Sequence, residues 1–136
     1  MKNLILTLAI LVTGLVSAQK ANLTINMTGF KNNNGVVMVG LYNSEGTFLK
    51  KSLVGSKSVI TNKKAMVTFN DLQKGEYAVM IYHDENLNKI MDSNFMGIPT
   101  EDYMASNNTK GFMGPPKYKN AKFSIENNAE IVININ

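Results

Sequence analysis

From Ala21 onward, apolar and polar residues alternate with a period of two, and that pattern leaves little choice of fold. Leu23, Ile25 and Met27 fall on one side and Asn22, Thr24 and Asn26 on the other, as a strand buried on one face requires. The alternation returns over Ala65 to Phe69. Val36 to Tyr42 is apolar on both faces, and so is Glu76 to His83, which places Tyr77, Val79 and Ile81 opposite Ala78, Met80 and Tyr82. The second of these is expected at the centre of a sheet, whereas Ser52 to Ile60 is polar enough for an edge. No stretch sustains helical periodicity.

Turn residues punctuate these segments. Asn32-Asn33-Asn34-Gly35 predicts a hairpin between the strand at Ala21 and the one at Val36, because an Asn-Gly pair tolerates positive φ at both central positions. Asn43 to Gly46 is a second turn, and Asp71 to Gly75 breaks the chain again before Glu76. Lys122 to Glu126, a turn at Asn127-Asn128 and Glu130 to Asn136 predict a closing hairpin. Seven or eight short strands imply an all-β fold: a single antiparallel β-sandwich of the immunoglobulin-like or transthyretin-like kind. Tyr77, two residues after Gly75, either packs or returns its hydroxyl to the turn as a tyrosine corner.

The first 18 residues read differently. Lys2 precedes an apolar run from Leu4 to Val16 that closes on Val16-Ser17-Ala18, the layout of a cleavable signal peptide. The run is shorter than the roughly 20 residues of a bilayer span. The chain has no cysteine, hence neither a lipid-attachment site nor a disulfide framework, so soluble export to the periplasm or the medium is expected. The mature domain, residues 19–136, is long enough for one core and is expected to be a monomer. All 14 basic residues are lysines, mostly scattered, and none can grip phosphate bidentately, which argues against nucleic-acid binding.

An insertion at about 84–118 holds the chemistry. A loop of that length within a compact domain is either disordered or functional. Phe95, Met96, Ile98, Tyr103, Met104, Phe112 and Met113 make it too apolar for a solvated linker, so it is expected to fold back as an ordered cap on one end of the sandwich. It opens with His83-Asp84-Glu85-Asn86-Leu87-Asn88-Lys89-Ile90-Met91-Asp92. Counting Asp84 as position 1, side-chain oxygens stand at positions 1, 3, 5 and 9, from Asp84, Asn86, Asn88 and Asp92. The Ile90 carbonyl is available at position 7.

That is the front half of an EF-hand-type calcium loop, in which alternate residues of a tight curl converge on one hard cation. Lys89 stands where Gly makes the sharp turn, and Phe95 where a bidentate Glu completes the shell; Glu101, or Asp102 beside it, could supply the missing carboxylate. The alternative is that Asp and Asn merely cap their own turns. His83 is the chain's only histidine; with no cysteine present, a zinc site lacks ligands.

The combination of Asp71-Leu72, Gly75-Glu76-Tyr77-Ala78-Val79, the His83–Asp92 loop, Gly97-Ile98-Pro99-Thr100-Glu101 and Gly114-Pro115-Pro116 resembles the bacterial domain-of-unknown-function family numbered 2141. The resemblance spans Leu23 to Ile135. It implies a small exported β-sandwich with an HDxNxNGxxD loop followed by GxPxE, and a Gly in members where Lys89 stands here. The leading reading is a non-enzymatic exported module whose loop, with Asp84, Asn86, Asn88, Ile90, Asp92 and Glu101, binds calcium and orders an aromatic cap for a protein or glycan partner. A competing reading is a hydrolase-type enzyme using His83 with Asp84, Glu85 or Glu101. A third is a structural envelope protein without a ligand.

Overall fold

The structure, a computed structural model, describes residues 17–136. The expected signal peptide falls outside them apart from Ser17 and Ala18. Eight strands follow: β1 (Lys20–Thr28), β2 (Val36–Tyr42), β3 (Val54–Val59), β4 (Lys64–Gln73), β5 (Gly75–Asp84), β6 (Tyr103–Ala105), β7 (Phe123–Ile125) and β8 (Ala129–Asn134). Among the described residues the helical content is one 3-10 turn at Ser106–Asn108 and one turn of helix, α1, at Tyr118–Ala121.

The strands form two sheets. One has the order β4-β1-β8, the other β3-β2-β5-β6 with β7 also on β5. All pairings are antiparallel except β1 with β8, which is parallel. Both expected hairpins are therefore corrected. β1 and β2 lie in different sheets, and the Asn32–Gly35 segment arches between them. Of its residues only Gly35 has positive φ, 65°, so the two-residue hairpin turn, which needs it twice, is not made. β7 and β8 likewise separate, one onto β5 and the other beside β1, because each finds a longer apolar partner there than in the other.

The period-two pattern dictates the core. Leu23, Ile25 and Met27 of β1 meet Val37, Val39 and Leu41 of β2 and Tyr77, Val79 and Ile81 of β5 between the sheets. The opposite face of β5 is also buried: Ala78 and Met80 pack beneath Phe48, Tyr118 and Ala121. A strand covered on both sides must be apolar on both sides, which is how β5 was placed centrally. β3 takes the edge, as its polarity requires. The tyrosine corner forms, with the Tyr77 hydroxyl donating to the Gln73 carbonyl at 2.7 Å.

β6 and β7 share one edge of β5, at Met80–Tyr82 and Gly75–Tyr77, and leave a gap between them. The fully buried Ser106 fills it. Its Oγ accepts from the Val79 N–H at 3.0 Å and donates to the Ala121 carbonyl at 2.5 Å, replacing a missing ladder rung and anchoring α1. Among the described residues, the core runs from Ala21 to Ile135. No described helix is long and apolar enough to cross a membrane.

The long insertion is not the expected cap. It contributes β6, and Met104 and Tyr118 do pack, but between the sheets and onto the outer face of a sheet, respectively, rather than over one end. Phe95 is 98% exposed, Phe112 93% and Met113 95%, with Met96 and Ile98 exposed as well. Around Phe95 the physical reason is that polar side chains, Asn94 and Glu101 among them, fix the backbone, so its apolar side chains need not be buried to order it.

Ser106→Ala leaves the Val79 N–H and the Ala121 carbonyl buried without partners and is expected to cost about 1–3 kcal/mol in urea unfolding. A loss below about 0.5 kcal/mol would contradict the rung assigned to Ser106.

Candidate metal centre

β5 ends on two fully buried polar residues, His83 and Asp84. The His83 ring meets Phe30 edge-on, with centroids 5.4 Å apart, and its Nε2 lies 2.6 Å from the Asn34 carbonyl oxygen. A carbonyl can only accept, so Nε2 carries a proton. Nδ1 is 3.8 Å from Glu85 Oε1, beyond hydrogen-bond range. His83 thus joins the arch to the central strand, and sealed from solvent it has no route to a substrate. That geometry gives no support to the general-base role.

Asp84 turns the chain into the loop. One carboxylate oxygen accepts from the Asn88 N–H at 3.1 Å and the other from the Lys89 N–H at 2.9 Å, which curls the backbone around the carboxylate. Asn86 Oδ1 accepts from the Asn88 N–H at 3.2 Å, and Asn88 Oδ1 from the Ile90 N–H at 3.0 Å, so each amide side chain is pinned facing inward. Both then reach one residue. Asn86 Nδ2 donates to one oxygen of Asp92 at 2.6 Å and Asn88 Nδ2 to the other at 2.7 Å.

The far side of the insertion closes the ring. Glu101 Oε2 accepts from the Asp92 N–H at 3.1 Å, and Thr100 N–H donates to the Asp92 carbonyl at 2.8 Å. Asp102 extends the ladder of β6 by accepting from the His83 N–H at 2.9 Å. Burial, and behind it the carboxylates of Asp84, Glu101 and, more weakly, Asp92, hold the Tyr82 phenol above its usual range. Those three acids therefore share one electrostatic neighbourhood at the end of β5.

A profile of the family described as uncharacterized proteins conserved in bacteria (DUF2141) matches residues 25–133, most of the chain. The chain belongs to this family. Comparison with curated proteins and with solved structures gave no match.

Lys89, which stands where an EF-hand-type loop has Gly, adopts a left-handed conformation with φ of 66°, and it is exposed to solvent. Of the residues named from sequence, Asp84, Asn86, Asn88 and Asp92 converge. Glu101 reaches them through the Asp92 N–H, and Ile90 is held by Asn88 while its side chain is exposed. Glu85 stands apart, its Oε2 accepting from Asn32 Nδ2 at 3.2 Å.

Among the described residues no three His, Cys, Asp or Glu side chains lie close enough together to hold a metal ion. An ion held here therefore depends on the amide oxygens of Asn86 and Asn88. An all-oxygen set of mixed carboxylates and amides suits a hard cation and not zinc.

The arch is what sequence reading missed. Gly35 lies so close to the Asp84 carbonyl and Glu85 Cα that any Cβ would collide with that backbone. Its one signal in the sequence is the Asn-rich run Asn32–Gly35, which by itself predicts a hairpin. Gly35→Ala combines that collision with a positive φ and is expected to destabilise by more than about 1 kcal/mol, with amide shift changes centred on Asp84. Unchanged stability would contradict the contact.

Proposed function

We infer that the protein is an exported, non-enzymatic β-sandwich module of the periplasm or medium whose Asp84–Asp92 loop binds calcium. The observation that carries this reading is the convergence of Asn86 and Asn88 on both oxygens of Asp92, beside a carboxylate already aimed by two main-chain amides. Asp84, Asn86, Asn88 and Asp92 would hold the cation by side chains and Ile90 by its carbonyl, with Glu101 positioning Asp92. A bound cation supplies charge neutralisation, allowing Asp84 and Asp92 to approach without mutual repulsion.

With two formal carboxylates in the ring, the affinity belongs to the extracellular class, on the order of 10⁻⁴ to 10⁻³ M. Ordering of the loop then fixes the exposed tip at Phe95, Met96 and Ile98, which serves as the contact surface for a protein or glycan partner. A second reading is favoured by one observation: the loop's oxygens already accept from its own N–H groups, so the loop also stands as a self-satisfied turn of a structural envelope protein.

Thermal unfolding of residues 19–136 in chelator and in 10 mM calcium separates the two. At roughly ten to a hundred times the dissociation constant, calcium is expected to add about 1.4–2.7 kcal/mol, a rise in Tm of several degrees. Asp92→Asn is expected to remove the response and to lower the chelator value somewhat, because only one of the two acceptors for Asn86 and Asn88 remains. Indifference of the unaltered domain to calcium assigns the loop to the structural reading.

A further inference from the structure

A second protruding loop, outside the metal centre, has a different chemistry. Lys110 to Lys119 leaves the 3-10 turn and returns through Pro116 and Tyr118, which are both buried and anchor its base. Its neck is pinched: Gly111 lies against the carbonyl groups of Gly114 and Pro115, so closely that any side chain there would collide with them. Phe112 and Met113 are therefore everted at the tip, 93% and 95% exposed, and Met113 takes a positive φ of 54° to complete the reversal. Lys110, Lys117 and Lys119, which flank the tip along the chain, are exposed. No acidic residue lies between Asp102 and Lys122.

We propose that this loop is a membrane-surface anchor that inserts Phe112 and Met113 among the headgroups of an anionic bilayer, with Lys110, Lys117 and Lys119 resting on the lipid phosphates. Two large apolar side chains held in water above a pinched neck gain by entering the headgroup and acyl boundary. Lysines set back from the tip meet the negative surface once it has entered. The shape separates lipid from protein as partner: a convex tip fits a medium that parts around it, whereas a protein site buries its apolar centre inside a polar rim. Two side chains and three charges give reversible attachment rather than permanent anchoring.

Sedimentation of residues 19–136 with vesicles tests this, comparing phosphatidylcholine containing 30% phosphatidylglycerol with phosphatidylcholine alone. Binding is expected only to the anionic vesicles. It is expected to fall about tenfold or more in Phe112→Ser/Met113→Ser, and about fivefold for each lysine changed to Gln. Melting temperatures should stay unchanged, since these side chains support no core. The chain has no tryptophan, so Phe112→Trp gives an emission that reports on the tip alone and is expected to shift to the blue on anionic vesicles. Absence of sedimentation at low salt overturns the proposal. So does binding that survives Phe112→Ser/Met113→Ser and is competed equally by polyglutamate, which would mark the lysines as a docking site for an acidic protein.

Discussion

The enclosure of the Asp84 carboxylate by the amides of Asn88 and Lys89 is the interaction on which the functional end of the molecule depends. β5 is buried on both faces and ends in a carboxylate with no exposure to solvent. A buried carboxylate without partners is costly enough to unfold a domain of this size, so the chain that follows must supply donors at once. It does so by curling back within five residues, which forces Leu87 and Lys89 into left-handed conformations and turns Asn86 and Asn88 inward. The geometry of the Asp84–Asp92 loop is thus a consequence of how the central strand ends.

His83 is the matching solution on the other side of the strand. Its Nε2 and the Asn34 carbonyl satisfy each other, and Gly35 lets the arch come close enough for that bond to form. The Lys31–Asp102 ion pair at 2.9 Å is exposed on its lysine side and adds little, so the junction rests on buried hydrogen bonds and on close backbone approach. Through these contacts the arch, the end of β5 and the start of β6 form one unit. His83 thereby acts as a fastener of the fold.

Strands were legible because their signal is local: the alternation at Leu23–Met27 and the two-faced apolar run of β5 each determine burial without knowledge of a partner. Pairing was not, because nothing in Asn32–Gly35 or Asn127–Asn128 says whether the chain turns back in one sheet or crosses to the other. The register of Asp84, Asn86, Asn88 and Asp92 was legible for the same reason as the strands, being a spacing within one curl. The fate of Phe95, Phe112 and Met113 was hidden. Apolar composition predicts burial only where burial is what orders the backbone, and around Phe95 the hydrogen bonds of Asn86, Asn88, Asn94 and Glu101 already do so, while Phe112 and Met113 are everted where Gly111 closes on Gly114 and Pro115.

The most direct test of the central claim follows the side-chain amides of Asn86 and Asn88 by ¹H–¹⁵N correlation spectra during a calcium titration. Release of their donors from Asp92 is expected to move both NH₂ pairs together with the main-chain amides of Asn88, Lys89 and Asp92 along one saturating curve, with a midpoint in the range of about 10⁻⁴ to 10⁻³ M. Spectra that stay unchanged apart from the drift produced by the same ionic strength of potassium chloride would contradict the account and leave the loop as a self-capped turn.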